Sequence, residues 1–290
     1  MKELIIISGK GGTGKTSLMA AFAYLAENKV LCDADVDAAD LHLVTAPDII
    51  EKHDFQGGHR AVINKDKCTE CGLCIDLCRW EAISETFDVD SIECEGCGVC
   101  VYFCPEKAID FPLNTYGEWY ISDTRFGPLV HARLGIAEEN SGRLVALVRT
   151  EAKKLAEEKG LELILTDGPP GIGCPVIASI GGASAVLIVT EPSVSGEHDM
   201  QRVVQLAKHF NVPTFLCVNK FDLNNDLTEE IEKFAKEKGL PCLGHIPFDQ
   251  TFTKAMVQGQ TIFEYDLDSA AGQAIRKIWG SLLEKLAPFG

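Results

Sequence analysis

The first residues that could do chemistry form a glycine-rich turn. Residues 9–16 read Gly-Lys-Gly-Gly-Thr-Gly-Lys-Thr and match the pattern G-x-x-x-x-G-K-[ST] at every position. Glycines let backbone N–H groups converge on phosphate oxygens, and the helix that follows adds partial positive charge at its amino terminus. The pattern therefore predicts a site for the phosphates of a nucleotide.

Each polar position of this turn has an expected task. We expect Lys15 to bind the β and γ phosphates and the Thr16 hydroxyl to bind Mg²⁺. The turn lies between an apolar strand pattern and a helical pattern, which is the context that the motif requires. The predicted nucleotide contacts in the turn are Gly9, Lys10, Gly11, Gly12, Thr13, Gly14, Lys15, Thr16 and Ser17.

The cysteines form a second chemically informative group. The chain has 12, and most of them lie in two runs with the same C-x2-C-x2-C-x3-C spacing. The first run is Cys68, Cys71, Cys74 and Cys78, and the second is Cys94, Cys97, Cys100 and Cys104. In a reducing compartment such runs bind metal rather than form disulfides. Zinc normally uses two separated cysteine pairs, so iron–sulfur clusters fit this spacing better.

Strand and helix patterns alternate on both sides of the cysteines. The predicted strands are residues 4–7, 30–32, 161–166, 183–190 and 213–218, and the predicted helices are about 15–28, 143–159, 197–210, 227–238 and 269–286. Periodicity fails between about His53 and Asn114. The order predicts an α/β fold with a doubly wound, mainly parallel sheet, into which the cysteine-rich segment is inserted.

Composition restricts the function classes. The chain has 290 residues, enough for one or two domains. Its 27 basic and 43 acidic residues give a net charge of −16, which argues against nucleic-acid and anionic-membrane binding. No apolar run approaches the roughly 20 residues of a membrane span, and the acidic first residues do not match a secretory signal. We expect a cytoplasmic protein, from an anaerobe if it carries oxygen-sensitive clusters.

The cysteine runs resemble those of bacterial two-cluster ferredoxins. Pro105 follows the second run, whereas Arg79 follows the first, which departs from that pattern. In these ferredoxins each [4Fe–4S] cluster takes three cysteines from one run and the fourth from the other. The resemblance implies a ferredoxin-like α+β insertion over residues 60–112, with electron transfer as its usual task. It implies one cluster on Cys68, Cys71, Cys74 and Cys104, and another on Cys78, Cys94, Cys97 and Cys100.

The glycine-rich turn resembles the deviant phosphate loop of the MinD/ParA/Mrp and nitrogenase-iron-protein ATPases, because Lys10 precedes Lys15 within it. The resemblance implies a P-loop NTPase fold of the SIMIBI, MinD-like type over residues 1–59 and 113–290. It also implies that Lys10 contacts the nucleotide of the partner subunit in an ATP-sandwich homodimer.

An acidic strand end resembles switch I of that family. In Asp33-Ala34-Asp35, Asp35 would orient or deprotonate the attacking water and Asp33 would support Mg²⁺. Asp37 and Asp40 follow in the same loop and remain alternatives for either task. The expected catalytic residues are Lys10, Lys15 and Asp35.

A second strand end, Asp167-Gly-Pro-Pro-Gly171, resembles Walker B and switch II. By that resemblance Asp167 would bind Mg²⁺ and the Gly171 N–H would donate to the γ-phosphate. Cys174 follows shortly afterwards, at the offset of the cluster-binding cysteine in the nitrogenase iron protein. That protein uses a second cysteine with no counterpart here, so we expect Cys174 to be a small buried residue.

The choice of base rests on two conflicting signals. Residues 219–222 match N-K-x-D, in which Asp222 would read guanine with Lys220 beside it. In the MinD-like family an asparagine at this strand end contacts adenine, and Asn219 matches it. Pro247 lies in a later loop that borders the base in that family. We favour ATP over GTP.

Three functions remain open at this point. The first is a Mg²⁺-dependent ATPase that couples nucleotide-dependent dimerisation to electron transfer. The second is an Mrp-like ATPase that assembles metal or iron–sulfur cofactors, and the third is a MinD/ParA-type spatial organiser. The expected partners are a second copy of the chain and a redox or cofactor-assembly protein, with no nucleic acid and no membrane. The apolar stripe from Ile275 to Leu286 is accordingly expected to dock on the protein core.

Overall fold

A computed structural model describes residues 1–135 and 141–287. The chain forms two compact units. Unit 1 comprises Met1–Lys52, Trp119–Arg133 and the chain from Ser141 onward. Unit 2 comprises His53–Glu118 and the residues that start at Leu134. Unit 2 contains the predicted insertion, residues 60–112, and extends past both of its ends.

A nine-stranded, mostly parallel sheet organises the chain. The strands are β1 (Lys2–Ser8), β2 (Lys29–Asp33), β3 (Asp48–His59), β4 (Val62–Ile63), β5 (Ile109–Asp110), β6 (Leu113–Thr124), β7 (Gly127–Leu134), β8 (Leu163–Pro170), β9 (Ala185–Thr190), β10 (Thr214–Asn219) and β11 (Cys242–Ile246). Their order in the large sheet is β11-β10-β9-β1-β8-β2-β7-β6-β3. Every pair from β11 to β7 in this order is parallel, so the carboxyl ends of these strands meet at one edge.

Most of the helices connect strands of the large sheet, whereas α3 (Leu73–Leu77) and α4 (Val99–Phe103) lie between β4 and β5. The helices are α1 (Lys15–Leu25), α2 (Leu41–Thr45), α3 (Leu73–Leu77), α4 (Val99–Phe103), α5 (Ser141–Lys159), α6 (Cys174–Ile180), α7 (Val194–His209), α8 (Asn225–Glu237), α9 (Thr251–Val257), α10 (Ile262–Tyr265) and α11 (Ala270–Leu286). Several begin at side-chain caps: Ser193, Asn224 and Ser269 accept hydrogen bonds from the first turns of α7, α8 and α11.

Strand β1 explains why the sheet is covered on both faces. Leu4 and Ile6 pack into one apolar cluster with residues of α1 and α11, while Ile5 and Ile7 pack into another with residues of α7 and α8. All four side chains are fully buried. A strand buried on both faces requires a continuous apolar run, which is why this strand is visible in the sequence.

The predicted α/β alternation is confirmed, and so is the docking of the apolar stripe on α11, where Ile275, Ile278 and Leu282 are buried in the core. Among the described residues, no helix combines the length and apolar character needed to cross a membrane. Sequence periodicity misses strands β3, β6 and β7. In β3 the neighbouring Ile49 and Ile50 are both exposed, so the strand lacks the alternation that identifies a half-buried strand.

Unit 2 repeats one local structure in its two cysteine runs. In each run a glycine in the left-handed region, Gly72 or Gly98, precedes a five-residue helix, α3 or α4. An extended cysteine, Cys78 or Cys104, follows each helix. Strands β4 and β5 pair antiparallel at the two ends of this segment. The duplicated sequence spacing therefore produces a duplicated backbone.

Candidate functional site

The glycine-rich turn lies where β1 ends and α1 begins, at the edge where the parallel strands end. Gly12 and Gly14 adopt φ angles of 79° and 88°, which favour glycine. A Cβ on Gly14 would overlap the amide nitrogen of Asn219, so a side chain is excluded there. The backbone of the turn thus has the freedom to direct N–H groups at a phosphate.

Lys15 is buried beneath this turn, between Asp167 within β8 and Asp35 just after β2. Its Nζ lies 2.8 Å from Asp167 Oδ1 and 3.1 Å from Asp35 Oδ2. Burial acts to lower the pKa of Lys15, but the carboxylates of Asp167 and Asp35 outweigh it and the pKa is raised. Lys15 is therefore a permanent cation whose charge is balanced inside the protein.

The acidic residues around Lys15 fit a magnesium site. Asp167 Oδ2 is buried and finds no hydrogen-bond partner among the described residues, so a carboxylate oxygen is left for a ligand. Asp33 accepts hydrogen bonds from the backbone N–H groups of Asp35, at 3.2 Å, and Leu41, at 3.3 Å. Burial, followed by the neighbouring Asp167, raises the pKa of Asp33. Oxygen ligands of this kind suit Mg²⁺, with Asp33 holding the backbone of the switch-I segment.

The N-K-x-D residues lie beside the turn. Asn219 Nδ2 donates to the Thr13 carbonyl at 2.7 Å, and Lys220 Nζ donates to the Gly12 carbonyl at 3.0 Å. Asp222 Oδ1 accepts the backbone N–H of Phe248 at 2.7 Å. Two of these side chains therefore support the phosphate turn, and Asp222 secures the loop that follows β11.

The remaining predicted contacts also gather near the turn. The Gly171 N–H donates to the Ser8 carbonyl at 2.9 Å, which ties the switch-II segment to the end of β1. Ser17 Oγ lies 3.1 Å from the sulfur of Met256 on α9. Pro247 directly follows β11 and is half-buried. The Gly171 N–H would have to break its hydrogen bond to the Ser8 carbonyl before it could donate to a phosphate.

Lys10 does not share the pocket of Lys15. Its Nζ lies 2.7 Å from Glu191 Oε1, and 2.9 Å and 3.0 Å from the hydroxyls of Ser193 and Ser195. Sequence reasoning missed Glu191. The available signal was its position directly after β9, at the edge where the other site residues lie.

In unit 2 the cysteines line two separate cavities. One cavity is bordered by Cys68, Cys71, Cys74 and Cys104. The other is bordered by Cys78, Cys94, Cys97 and Cys100. Each set combines three cysteines of one run with the fourth cysteine of the other. These are the two crossed sets that the ferredoxin resemblance implies.

The surroundings of the thiols suit iron–sulfur clusters. Within the chain as described, no three Cys, His, Asp or Glu side chains converge on a point that could hold a single ion. Four thiolates that each bind a different iron of a cubane do not need to converge in this way. The backbone N–H groups of Glu70 and Ala108 already donate to the sulfurs of Cys68 and Cys104, at 3.4 Å and 3.3 Å.

One thiol illustrates what bound iron would contribute. Burial raises the pKa of Cys100 to about 11, so its thiol is protonated at neutral pH. Coordination to iron would supply the positive charge that keeps a cysteine deprotonated. The second run also needs Gly96, because a Cβ there would overlap the carbonyl oxygen of His59.

The sequence of the chain matches a known protein family, which helps to explain the geometry of unit 1. The model of the CobQ/CobB/MinD/ParA nucleotide binding domain matches residues 4–262. The chain belongs to this family. It is an ATP-binding ATPase of the MinD/ParA type.

Relatives of this MinD/ParA-type ATPase include an uncharacterized protein of Methanocaldococcus jannaschii, MJ0578, which is 32% identical over 97% of this chain and 96% of the relative. The iron-sulfur cluster carrier protein of the same organism is 29% identical over 144 residues, 43% of this chain and 47% of the carrier. The septum site-determining protein MinD of Pyrococcus horikoshii, solved with Mg-ADP, shares the fold with a TM-score of 0.60 and 17% identity, over 100% of this chain and 98% of MinD.

The expectation about Cys174 is wrong, and the three remaining cysteines of the ATPase differ in their burial. Cys174 is exposed rather than buried, because it is the first residue of α6 and follows a loop at the carboxyl edge of the sheet. Cys242 is half-buried, because β11 is the edge strand. Cys32 and Cys217 are buried, and burial raises the pKa of both thiols.

Proposed function

We propose that this ATPase carries two [4Fe–4S] clusters in a ferredoxin-like insertion, residues 60–112, and couples its nucleotide state to electron transfer. The single observation that carries the proposal is the sorting of eight cysteines into two four-cysteine cavities. Bound clusters would supply one-electron redox centres, and two neighbouring centres provide a path for an electron. The exposed Cys71 and Cys97 lie where each centre would face solvent and a partner.

In unit 1 the proposed chemistry is Mg²⁺-dependent ATP hydrolysis between two copies of the chain. Lys15 would neutralise the phosphates, while Thr16, Asp33 and Asp167 would hold or support Mg²⁺. Asp35, now 3.1 Å from Lys15, would accept a hydrogen bond from the attacking water once Lys15 turns to the phosphates. Bound Mg²⁺ would supply charge stabilisation for the departing phosphate.

The electron-transfer proposal is preferred over a carrier role because of where the thiols lie. Cys68, Cys74, Cys78, Cys94, Cys100 and Cys104 pack against the apolar core of unit 2. Thiols that form part of a core hold resident clusters, whereas a carrier must release its cluster to an acceptor. The similarity to an iron-sulfur cluster carrier protein nevertheless supports cofactor assembly as a second candidate.

The crossed ligand sets allow a direct test of the clusters. Protein purified without oxygen should contain about eight irons per chain. We expect Cys68→Ser and Cys104→Ser to perturb one cluster, and Cys94→Ser and Cys78→Ser to perturb the other, as resolved by electron paramagnetic resonance. Cys242→Ser, outside both cavities, is the matched control. Perturbation of the same cluster by Cys68→Ser and Cys78→Ser would contradict the crossed assignment.

A second experiment separates the two candidate functions. If nucleotide state governs electron transfer, the midpoint potential of a cluster should differ between the MgATP-bound and MgADP-bound protein. If the protein is a carrier, incubation with an iron-free acceptor ferredoxin should move iron and sulfide to that acceptor. Transfer of the cluster, with equal potentials in both nucleotide states, would favour the second candidate.

A further inference from the structure

The ammonium group of Lys10 is fully occupied by its own chain. An ammonium has three N–H donors, and Lys10 directs them at Glu191, Ser193 and Ser195 over 2.7–3.0 Å. The side chain of Lys10 is 27% exposed. Before Lys10 could contact a nucleotide in another subunit, it would have to break all three contacts.

Glu191 binds a second lysine at the same time. Its Oε2 lies 2.8 Å from Lys220 Nζ, and Lys220 also donates to the Gly12 carbonyl. Burial acts to raise the pKa of Glu191, but the hydrogen bonds from Lys10 and Lys220 outweigh it and the pKa is lowered. Glu191 is therefore an ionised carboxylate that bridges the lysine of the phosphate turn and the lysine that follows β10.

The acceptors of Lys10 are attached to a rigid element. Ser193 Oγ also accepts the Gly196 N–H at 3.1 Å and so caps α7. The Thr190 hydroxyl donates to the Gly196 carbonyl at 3.0 Å, which fixes the segment between β9 and α7 at both ends. The acceptors are consequently positioned before Lys10 reaches them, and little ordering is required to bind it.

We propose that Glu191 is a positioning residue that holds Lys10 on its own subunit and thereby opposes ATP-dependent dimerisation until bound nucleotide competes for Lys10. The inference rests on the proposed dimer. Contacts made in the single chain but lost in the dimer shift the equilibrium toward the single chain by their own free energy. Because Glu191 provides the charged contact, it sets most of this opposition.

The test is dimer formation with Mg²⁺ and a non-hydrolysable ATP analogue, measured by analytical ultracentrifugation. We expect Glu191→Ala to dimerise at an analogue concentration about tenfold lower than the natural protein. The reason is that each of the two subunits lacks the partly exposed Lys10–Glu191 ion pair that dimerisation would otherwise break. Glu191→Gln keeps an acceptor oxygen and should give a smaller shift. Glu197→Gln, which removes a charge from α7 where Glu197 bonds Gln201, is the control and should give no shift.

A further measurement separates the holding role of Glu191 from an effect on the phosphate turn. The affinity of the Glu191→Ala variant for MgADP should stay within about twofold of the natural protein's, since the proposal gives Lys10 no contact with the nucleotide of its own subunit. A large loss of ADP affinity would show that Glu191 acts through Lys220 and the phosphate turn, and would overturn the inference.

Failure of the inference and failure of the proposed dimer are distinguishable. If the natural protein does not dimerise with the analogue, the proposed dimer is wrong and the role of Glu191 falls with it. If the natural protein dimerises and Glu191→Ala does so equally or less well, the dimer stands and only the holding role is wrong. Thermal unfolding of each variant confirms that a folded protein is being compared.

Discussion

The two candidate ligand-binding regions differ in how the protein balances the side chains that would bind the ligand. In unit 1 both lysines of the glycine-rich turn form ion pairs with carboxylates of the protein. Lys15 pairs with Asp35 and Asp167, and Lys10 pairs with Glu191. In unit 2 the thiols line two cavities and no comparable ion pair is found among their described contacts. Ion pairs can hold the side chains of a site in position before a ligand binds. In the part of the chain that the structure describes, the thiols of unit 2 have no such pairs, and we expect a bound ligand to complete their packing.

The apolar cores of the two units also differ, and the core of unit 2 is the smaller. The sheet of unit 1 is covered by two extensive clusters of buried side chains. In unit 2 the apolar cluster beside the thiols has five buried members among the described residues, Ala61, Ile63, Ile83, Phe87 and Ile109, and six cysteines pack against it. Small domains with little core usually depend on metals or disulfides. Unit 2 should therefore owe its stability to iron and unit 1 should not.

Removal of iron should produce the largest effect. After anaerobic chelation we expect unit 2 to unfold, because the proposed clusters would supply much of its core, while unit 1 stays folded. Hydrogen exchange read by mass spectrometry should show loss of protection in α3, α4 and β5 and retained protection in β1 and α1. Equal loss of protection in β1 would contradict the independence of the two regions, and retained protection in α4 would contradict the dependence on iron.

Within unit 1, the ion pair whose loss should lower the free energy of unfolding most lies away from the candidate nucleotide site. Arg149 bonds both oxygens of Glu3, at 2.8 Å and 2.7 Å, and the carbonyls of Ala178 and Gly181 at the end of α6. We expect Arg149→Met to lower the free energy of unfolding by about 3–5 kcal/mol, since a buried carboxylate loses its partner. Lys153→Met, which removes an exposed lysine 3.3 Å from Glu3, should cost less than about 1 kcal/mol in urea titrations.

Loss of Lys15 should damage stability as well as nucleotide binding. Lys15→Met leaves Asp35 and Asp167 buried without their cation, and we expect a loss of about 2–3 kcal/mol in urea unfolding of the nucleotide-free protein. Asp35→Asn added to this variant should recover part of the loss without restoring ATP binding. Lys10→Met, which removes a more exposed cation, is the control and should cost less than about 1 kcal/mol.

The contrast also explains what could be predicted from the sequence. The fully buried run Leu4–Ile7 and the motif after it identify the sheet and the turn, because both depend on local residue types. Strand β3 escapes notice because Ile49 and Ile50 are both exposed. Glu191 escapes because its position after β9 indicates only the edge of the sheet at which it lies, and not which side chains it meets there. Its importance arises only when the fold brings it to Lys10 and Lys220.

The smallest expected effects concern the glycines of the cysteine runs. Gly72 and Gly96 both have positive φ angles, 78° and 61°, so backbone strain alone should cost an alanine about 1 kcal/mol at either position. A Cβ on Gly72 meets nothing within 4 Å, whereas one on Gly96 would overlap the backbone of His59. Loss of visible iron–sulfur absorbance on heating should therefore occur at a lower temperature in Gly96→Ala than in Gly72→Ala. The reverse order would mean that the loop around Gly96 yields easily, and that backbone strain rather than close packing limits both runs.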